Sequence, residues 1–159
     1  LKRATRHGEP LGILIADLDH FKQINDTHGH SAGDEVLRAC AREIAVNVRA
    51  TDVATRYGGE EFVILLPGDR ELGLRRVAER IREAIAELRV PTEAGTLRVT
   101  VSIGGTSWEP DATPQHPTLT DLIEPADRAL YHAKNEGRNR VMIADPRRPR
   151  RGSQRASLR

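Results

Sequence analysis

Two consecutive glycines, Gly58 and Gly59, stand between two runs of strand-forming residues, and they constrain the fold more than any other feature of the chain. The runs cover residues 53–57 and 60–66. Glycine readily adopts the positive φ angles that a tight hairpin turn requires. The two runs are therefore predicted to be antiparallel neighbours in one sheet.

Hydrophobic periodicity predicts the elements around this hairpin. Residues 11–16 form a continuous apolar run, which is typical of a central strand covered on both faces, whereas 97–103 alternates as a half-buried strand does. Three amphipathic helices and a last short strand complete the pattern, at 31–48, 71–88, 119–133 and 141–143. Pro125 is expected to kink or restart the third helix. The chain is predicted to be an α+β fold, with helices packed on a sheet.

Composition and charge limit the function classes. The 159 residues fit one domain at 1–145, and the only cysteine, Cys40, lies on an apolar helix face and excludes a disulfide framework. Residues 146–159 carry six arginines and no acid, so they are read as a disordered tail. Without those six charges the formal net charge of +2 becomes −4. This mildly acidic body argues against nucleic-acid binding.

No targeting or membrane segment is recognisable in the sequence. The longest notable apolar run is far shorter than the ~20 residues of a membrane span, and no signal peptide is visible. A cytoplasmic domain is expected.

Four acidic residues follow two predicted strands. Asp17 and Asp19 come after the buried strand, and Glu60 and Glu61 come after the glycine turn. If the strands are neighbours, Asp17 and Glu60 converge, and two carboxylates at ~4 Å repel by about 4 kcal/mol at an effective dielectric of about 20. Mg²⁺ removes that repulsion and typically binds one or two carboxylates plus substrate phosphates. On these residues alone, two interpretations are equally favoured: a metal–phosphate site, and acidic side chains at the strand ends that are simply solvated.

Four motifs in order resemble the GGDEF family, the catalytic domains of diguanylate cyclases, over about residues 11–143. They are Asp17-Leu-Asp-His-Phe-Lys22-Gln-Ile-Asn25-Asp26, Gly29-His30-Ser-Ala-Gly33-Asp34, Tyr57-Gly58-Gly59-Glu60-Glu61-Phe62 and Ala126-Asp127-Arg-Ala-Leu-Tyr131-His-Ala-Lys134-Asn-Glu-Gly137-Arg138-Asn139. The third is the accepted GGEEF form of the family signature. The resemblance implies a mainly antiparallel sheet, like those of the polymerase palm and the class III nucleotide cyclases (a ferredoxin-like arrangement).

The resemblance also implies an activity. Two GTP molecules are joined into cyclic di-GMP with release of two pyrophosphates, by a homodimer that binds one GTP per subunit. The cofactor is Mg²⁺, for which Mn²⁺ can substitute.

Site residues carry over from the motifs, as implications of the resemblance. Asp17, Glu60 and the backbone carbonyl of Leu18 would ligate the metal. Glu60 is also credited with accepting the proton of the ribose 3′-hydroxyl, and Lys22 counts as catalytic because it offsets the charge of the leaving group. The expected substrate contacts are Lys134 and Arg138 on the phosphates, Asn25, Asp34 and the His30 backbone at guanine, and Phe21 and Gly59 beside them.

A product-inhibition site is implied by Arg49 and Asp52, which match the RxxD motif five residues before Gly58. Cyclic di-GMP would bind there, with Arg80 as a further contact. The simpler interpretation is a salt bridge at three-residue spacing near a helix end.

The resemblance leaves other functions open. The family's D-x-L-T and Asn-Arg-Arg segments are absent, and the chain begins inside the helix that follows them. An upstream sensor or dimerisation domain, which could anchor the protein to a membrane, is expected to be missing. The main alternative is a silent domain that acts as a cyclic di-GMP receptor through Arg49 and Asp52, or as a GTP-binding regulatory module. A cyclase that also uses ATP is disfavoured by Asp34.

Overall fold

The computed structural model describes residues 9–110 and 118–144. Within these residues, seven strands and three helices are assigned. They are β1 Leu11–Leu18, α1 Phe21–Val46, β2 Val53–Gly58, β3 Glu61–Pro67, α2 Glu71–Glu87, β4 Val90–Thr92, β5 Gly95–Leu97, β6 Val101–Trp108, α3 Leu119–Asn135 and β7 Val141–Ala144. The predicted tail at 146–159 and the first residues of the chain lie outside the described ranges.

Five strands form a mixed, mainly antiparallel sheet in the order β2-β3-β1-β6-β7. Only β6 and β7 are parallel. The hairpin expected at the two glycines is confirmed, because β2 and β3 pair antiparallel from Val53 opposite Leu65 to Gly58 opposite Glu61, with a register shift after Arg56. The predicted α+β, palm-like fold is also confirmed.

The central strands β1 and β6 are covered on both faces, whereas the edge strand β2 is exposed. The even-numbered residues of β1 (Leu14, Ala16 and Leu18) belong to the cluster formed with α1 and α2. Its odd-numbered residues Leu11, Ile13 and Ile15 pack against α3. Side chains alternate along a strand, so Asp17 points to the α3 side. This alternation decides which helix reaches the acidic residues at the end of β1.

Cys40 is a core residue, as expected. It is fully buried in the cluster beneath α1 and α2. Burial, and to a smaller degree the carboxylate of Glu43, raises the pKa of its thiol to about 12. The thiol is therefore inert in the folded domain.

The half-buried strand predicted at 97–103 is wrong in both extent and exposure. Leu97 ends the short strand β5, which pairs with β4 in a separate hairpin that periodicity did not indicate. The sheet strand begins at Val101 and is buried along its whole length. The cause is that α2 and α3 both contact β6, so neither of its faces is solvated.

The first and third helices also differ from the sequence pattern. The segment α1 starts at Phe21, ten residues before the predicted helix, and Gly29 interrupts it with φ 84° and ψ 161°. Only the part beyond this break shows the expected apolar stripe. Helix α3 is continuous through Pro125 and starts at a capping box between Thr118 and Asp121. Pro125 lies beyond the first turn, so it removes one intrahelical N–H donor, yet the helix continues through it without a restart.

None of the helices in the described ranges is long and apolar enough to cross a membrane.

Candidate active site

The acidic residues of β1 and β3 meet at one end of the sheet. Asp17 and Glu61 are directly opposite each other in the antiparallel pair. The backbone N–H of Leu18 donates a hydrogen bond of 3.3 Å to the carbonyl of Glu60. The condition on which the sequence argument depended, that the two strands are neighbours, is therefore met. The hairpin brings Glu60 and Glu61 to Asp17 and Leu18, across more than forty residues of sequence.

These carboxylates repel one another. Burial raises the pKa of Asp17 above its ordinary value, the Lys134 ammonium lowers it, and the charges of Glu60 and Asp19 raise it further. Burial also raises the pKa of Glu61, with a smaller contribution from the negative charge of Asp17. The sheet end thus holds more negative charge than its protein neighbours neutralise.

This surplus of oxygen ligands fits a hard divalent cation. Mg²⁺ usually takes one or two carboxylates and completes its shell with water and substrate phosphates. Asp17, Glu60 and the Leu18 carbonyl are the ligands that the resemblance predicts, and strand pairing brings these residues to the same sheet end. The described residues hold no cluster of three or more His, Cys, Asp or Glu side chains with metal-binding geometry.

Lys134 is the protein cation of this cluster. It lies in the last turn of α3, and its Nζ is 2.7 Å from Oδ2 of Asp17, with the side chain 33% exposed. The sequence expectation places Lys134 on a triphosphate. The structure puts its ammonium between the acidic strand end and solvent, where it can contact both a carboxylate and an incoming phosphate.

Arg138 lies in a tight loop after α3. Gly137, Arg138 and Asn139 have φ angles of 114°, 61° and 45°, so three consecutive residues are left-handed. The Arg138 side chain is exposed. Its backbone N–H donates to the carbonyl of Ala133 at 3.0 Å, which closes the C-terminal end of the helix. The loop leaves the Arg138 side chain exposed four residues after Lys134 in the sequence.

Asp19 is a residue whose role the sequence does not reveal. It is buried, at 5% exposure, and its carboxylate accepts hydrogen bonds from Thr100, Ser102 and the backbone of Asn139. These donors lie 81 to 120 residues away in sequence, so no local pattern could indicate them.

The glycine turn leaves open space beside Glu60. A Cβ atom built on Gly58 or Gly59 would meet nothing within 4 Å, and Gly59 has φ 40°. The Arg56 guanidinium donates to the Gly59 carbonyl at 2.8 Å and holds the turn from outside. A phosphate can approach this backbone closely.

The predicted guanine contacts lie around the break in α1. The Asn25 carboxamide occupies the space above Gly33, so any side chain at Gly33 would collide with it. Asp34, the next residue, is exposed. Asn25 thus lies against the residue that precedes Asp34, and the guanine contacts of both side chains stay a prediction. Phe21 is buried close to Gly33, which leaves its backbone rather than its ring for a substrate.

Lys22 and His30 are both exposed on α1. Lys22 lies in the first turn, close to the end of β1, and His30 directly follows the break at Gly29.

The predicted inhibitory residues surround the C-terminal end of α1. The Asp52 carboxylate accepts the backbone N–H of Arg49 at 2.7 Å, while Arg80 donates to the carbonyl of the C-cap residue Asn47. The alternative of an Arg49–Asp52 salt bridge is not what the structure has. The Arg49 guanidinium lies 3.5 Å from Asp69, with side-chain exposures of 63% and 10%. Asp69 is a partner that sequence spacing could not indicate.

Comparisons with known proteins are in keeping with this geometry. The family model described as "Diguanylate cyclase, GGDEF domain" matches residues 1–140. The chain belongs to the GGDEF family. This GGDEF domain is 46% identical over 146 residues to the response regulator PleD of Caulobacter vibrioides. The matched region covers 89% of this chain and 31% of PleD. It is also 43% identical over 144 residues to the diguanylate cyclase DosC of Escherichia coli, and this match covers 90% of this chain and 30% of DosC.

Solved structures give the same assignment. The active GGEEF domain of a diguanylate cyclase from Vibrio cholerae superposes with a TM-score of 0.81 at 35% identity, covering 91% of this chain and 88% of that one. The GGDEF domain of DgcB from Caulobacter crescentus, in complex with c-di-GMP, gives 0.81 at 32% identity, covering 89% and 82%. The chain spans about a third of the length of the curated relatives it matches.

Proposed function

We propose that this GGDEF domain is a diguanylate cyclase that condenses two GTP molecules into cyclic di-GMP and two pyrophosphates. The observation that carries the proposal is the convergence of Asp17, Leu18 and Glu60 at one sheet end, beside Lys134 and the open glycine turn. The diguanylate cyclase names of its relatives support the same reaction.

The metal of the proposal is Mg²⁺, with Mn²⁺ as a substitute. Asp17, Glu60 and the Leu18 carbonyl would hold it, and when bound it supplies charge neutralisation and acidification of a coordinated hydroxyl. Lys134, Arg138 and Lys22 would bind the triphosphate and stabilise the negative charge that develops on the leaving pyrophosphate.

The bond changes follow from this arrangement. The 3′-oxygen of one GTP attacks the α-phosphorus of the GTP on the facing subunit, and the bond from that phosphorus to the bridging oxygen of pyrophosphate breaks. Glu60 accepts the proton of the hydroxyl. The same exchange in the other direction closes the ring. Because one subunit holds one GTP, two domains must meet face to face.

This dimer requirement gives the test of the proposal. With GTP and Mg²⁺, product formation per mole of domain should rise as the domain concentration rises, and EDTA should abolish it. Product is measured by chromatography over a hundredfold range of domain concentration. A strictly constant specific rate over that range would overturn the two-subunit scheme, and absence of cyclic di-GMP at every concentration would overturn the cyclase.

Guanine selectivity is assigned to Asp34. Its exposed carboxylate can accept from N1–H and N2–H₂ of guanine, a donor pair that adenine lacks. The Asn25 carboxamide over Gly33 is a second polar group at this position.

Replacing Asp34 with serine is expected to lower the ratio of kcat/KM for GTP to kcat/KM for ATP by roughly 100-fold. The hydroxyl is too short to pair with both guanine donors, so the base loses its specific partners. Rates with each nucleotide give the ratio. Asp26→Ser, an exposed acid on the same helix segment, is the control. An unchanged ratio in Asp34→Ser would contradict the assignment.

Product inhibition is proposed at Arg49, Asp52 and Arg80. The exposed Arg49 guanidinium is held at one side by Asp69, and Asp52 fixes the backbone of the same turn. An arginine fork suits both a phosphate and the guanine edge of cyclic di-GMP. The DgcB structure with bound c-di-GMP supports ligand binding to this family.

Arg49→Ala is expected to raise the concentration of cyclic di-GMP that halves activity by about tenfold or more. The charge-assisted bonds of the guanidinium are lost, whereas the turn remains closed by Asp52. The measurement is initial rate against added cyclic di-GMP. Arg128→Ala is the matched control, since this arginine is 58% exposed on α3, on the opposite face of the sheet. Equal inhibition of the Arg49 and Arg128 variants would refute the site.

A further inference from the structure

We propose that Asp19 is the positioning residue of the phosphate site: it holds the left-handed loop that presents Arg138. The inference rests on the proposed function, because it takes Arg138 as a triphosphate ligand. In this scheme Asp19 contacts neither substrate nor metal. It acts only through the backbone of Asn139, the residue that follows Arg138.

The Asp19 carboxylate accepts hydrogen bonds from two parts of the fold, the start of β6 and the loop after α3. Its Oδ1 accepts from the Ser102 hydroxyl at 2.7 Å, and its Oδ2 accepts from the Thr100 hydroxyl at 2.7 Å. Oδ2 also accepts the backbone N–H of Asn139 at 3.0 Å. One carboxylate therefore joins the start of β6 to the loop after α3.

The loop needs such an anchor. Gly137, Arg138 and Asn139 are left-handed in succession, a conformation that residues with a Cβ atom rarely adopt. Unfavourable backbone of this kind persists only where several contacts fix it. Here Ala133 fixes the N–H of Arg138, and Asp19 fixes that of Asn139.

A second contact reaches the same loop from α2. The Arg82 guanidinium donates to the Asn139 side-chain oxygen at 3.1 Å. Asn139 is therefore held at its backbone by Asp19 and at its side chain by Arg82. Arg138 lies between these anchors with its side chain exposed, so its guanidinium is accessible to an anion.

Asp17 and Asp19 consequently have different tasks, although both lie at the C-terminal end of β1. Asp17 is paired with Lys134 and repelled by Glu60, and so retains the acceptor capacity of a metal ligand. Both oxygens of Asp19 are engaged by protein donors. Three of its roughly four acceptor positions are in use, which leaves little capacity for a metal ion, so Asp19 supports the anion-binding half of the site.

The test is a double-mutant cycle on nucleotide binding. The probe is 3′-deoxy-GTP with Mg²⁺, which lacks the attacking hydroxyl, and affinity is measured by calorimetry. Asp19→Ala is expected to weaken binding about tenfold, as Arg138→Ala does. The double variant should bind no more weakly than Arg138→Ala alone, since Asp19 acts through Arg138. Additive losses would overturn the proposal, and so would unchanged binding by Asp19→Ala.

Three further variants separate positioning from folding. Asp19→Asn should bind within about threefold of the parent, because its amide oxygen can accept from Asn139 while its amide donates to Ser102. Ser102→Ala removes a hydrogen bond on the side away from the loop and should also match the parent. If Asp19→Ala does not fold, Asp19→Ser replaces it, since its hydroxyl is too short to reach Asn139, and the same cycle applies.

Binding is read separately from turnover, so the two proposals can fail independently. A domain that binds the probe but makes no cyclic di-GMP refutes the cyclase and leaves the cycle valid. A parent domain that does not bind the probe refutes the role of Arg138, and with it that of Asp19.

Discussion

Asp17→Asn is expected to reduce cyclic di-GMP formation on the order of 1000-fold while leaving the domain at least as stable as the parent. The activity falls because a neutral amide cannot replace a carboxylate ligand of the metal. Stability does not fall, because burial and neighbouring acids disfavour the ionised Asp17 in the folded state. The amide removes that unfavourable charge at the cost of the Lys134 contact. The rate of cyclic di-GMP formation with GTP and Mg²⁺ measures the loss of activity. Thermal unfolding in EDTA measures the stability of the metal-free domain.

The pH dependence of stability follows from the same pKa. The folded-state pKa of Asp17 lies above its unfolded value, so the native state binds more protons in the interval between the two. The contribution of Asp17 to stability is therefore full below about pH 4 and is lost as pH rises through the folded-state pKa. In Asp17→Asn this loss of stability with rising pH should shrink, and Glu61 should account for part of the loss that remains.

The assignment of Asp17 as a metal ligand is wrong if Asp17→Asn retains its activity, or if it loses activity only because the domain unfolds.

Gly104→Ala is expected to cost about 3 kcal/mol of unfolding free energy and to lower Tm by roughly 10 °C. A Cβ atom at Gly104 would collide with backbone atoms of α3, namely the nitrogen of Leu130 and the carbonyl oxygen of Ala126. The backbone of a continuous helix cannot shift locally to relieve such a collision, whereas the end of a flexible side chain can. The helix would have to move away from β6, and it carries Lys134. Thermal and urea unfolding measure the effect.

Gly105→Ala is the matched control on the adjacent residue. Its Cβ would lie 2.6 Å from Leu14 Cδ2 and 2.9 Å from Ile143 Cδ1, which are ends of flexible side chains, and its nearest backbone atom would be the carbonyl oxygen of Ile13 at 3.1 Å, against 2.1 Å for the nearest at Gly104. These atoms can shift, so the expected loss is about 1 kcal/mol. Equal losses at the two positions would show that close packing of α3 on β6 is not the cause.

Local sequence chemistry is sufficient for the hairpin, whereas the acidic sheet end follows only on the condition that β1 and β3 are neighbours. The two glycines imply antiparallel neighbours, and β1 pairing with β3 then brings Asp17 opposite Glu61. The apolar stripes of α2 and α3 were equally readable because each helix buries one face. These features depend on residues close in sequence or on a single strand pairing.

The remaining features depend on partners far apart in sequence. The strand β6 reads as half-buried by alternation, yet helices on both faces bury it entirely. Strands β4 and β5 are three residues each, too short to show a period. Asp69 meets Arg49 only because α2 begins beside the end of α1, and Asp19 meets Asn139 only once α3 has packed on the sheet. Such contacts require the assembled fold.

The most direct test of the central claim compares the domain with Glu60→Gln, both fused to a parallel coiled coil that enforces dimerisation. Each is incubated with GTP and Mg²⁺, and products are identified by mass spectrometry, with pyrophosphate counted separately. The account predicts cyclic di-GMP and two pyrophosphates per product from the parent, and none above background from Glu60→Gln. A parent dimer that binds GTP but forms no cyclic di-GMP would contradict it and would favour a receptor for cyclic di-GMP.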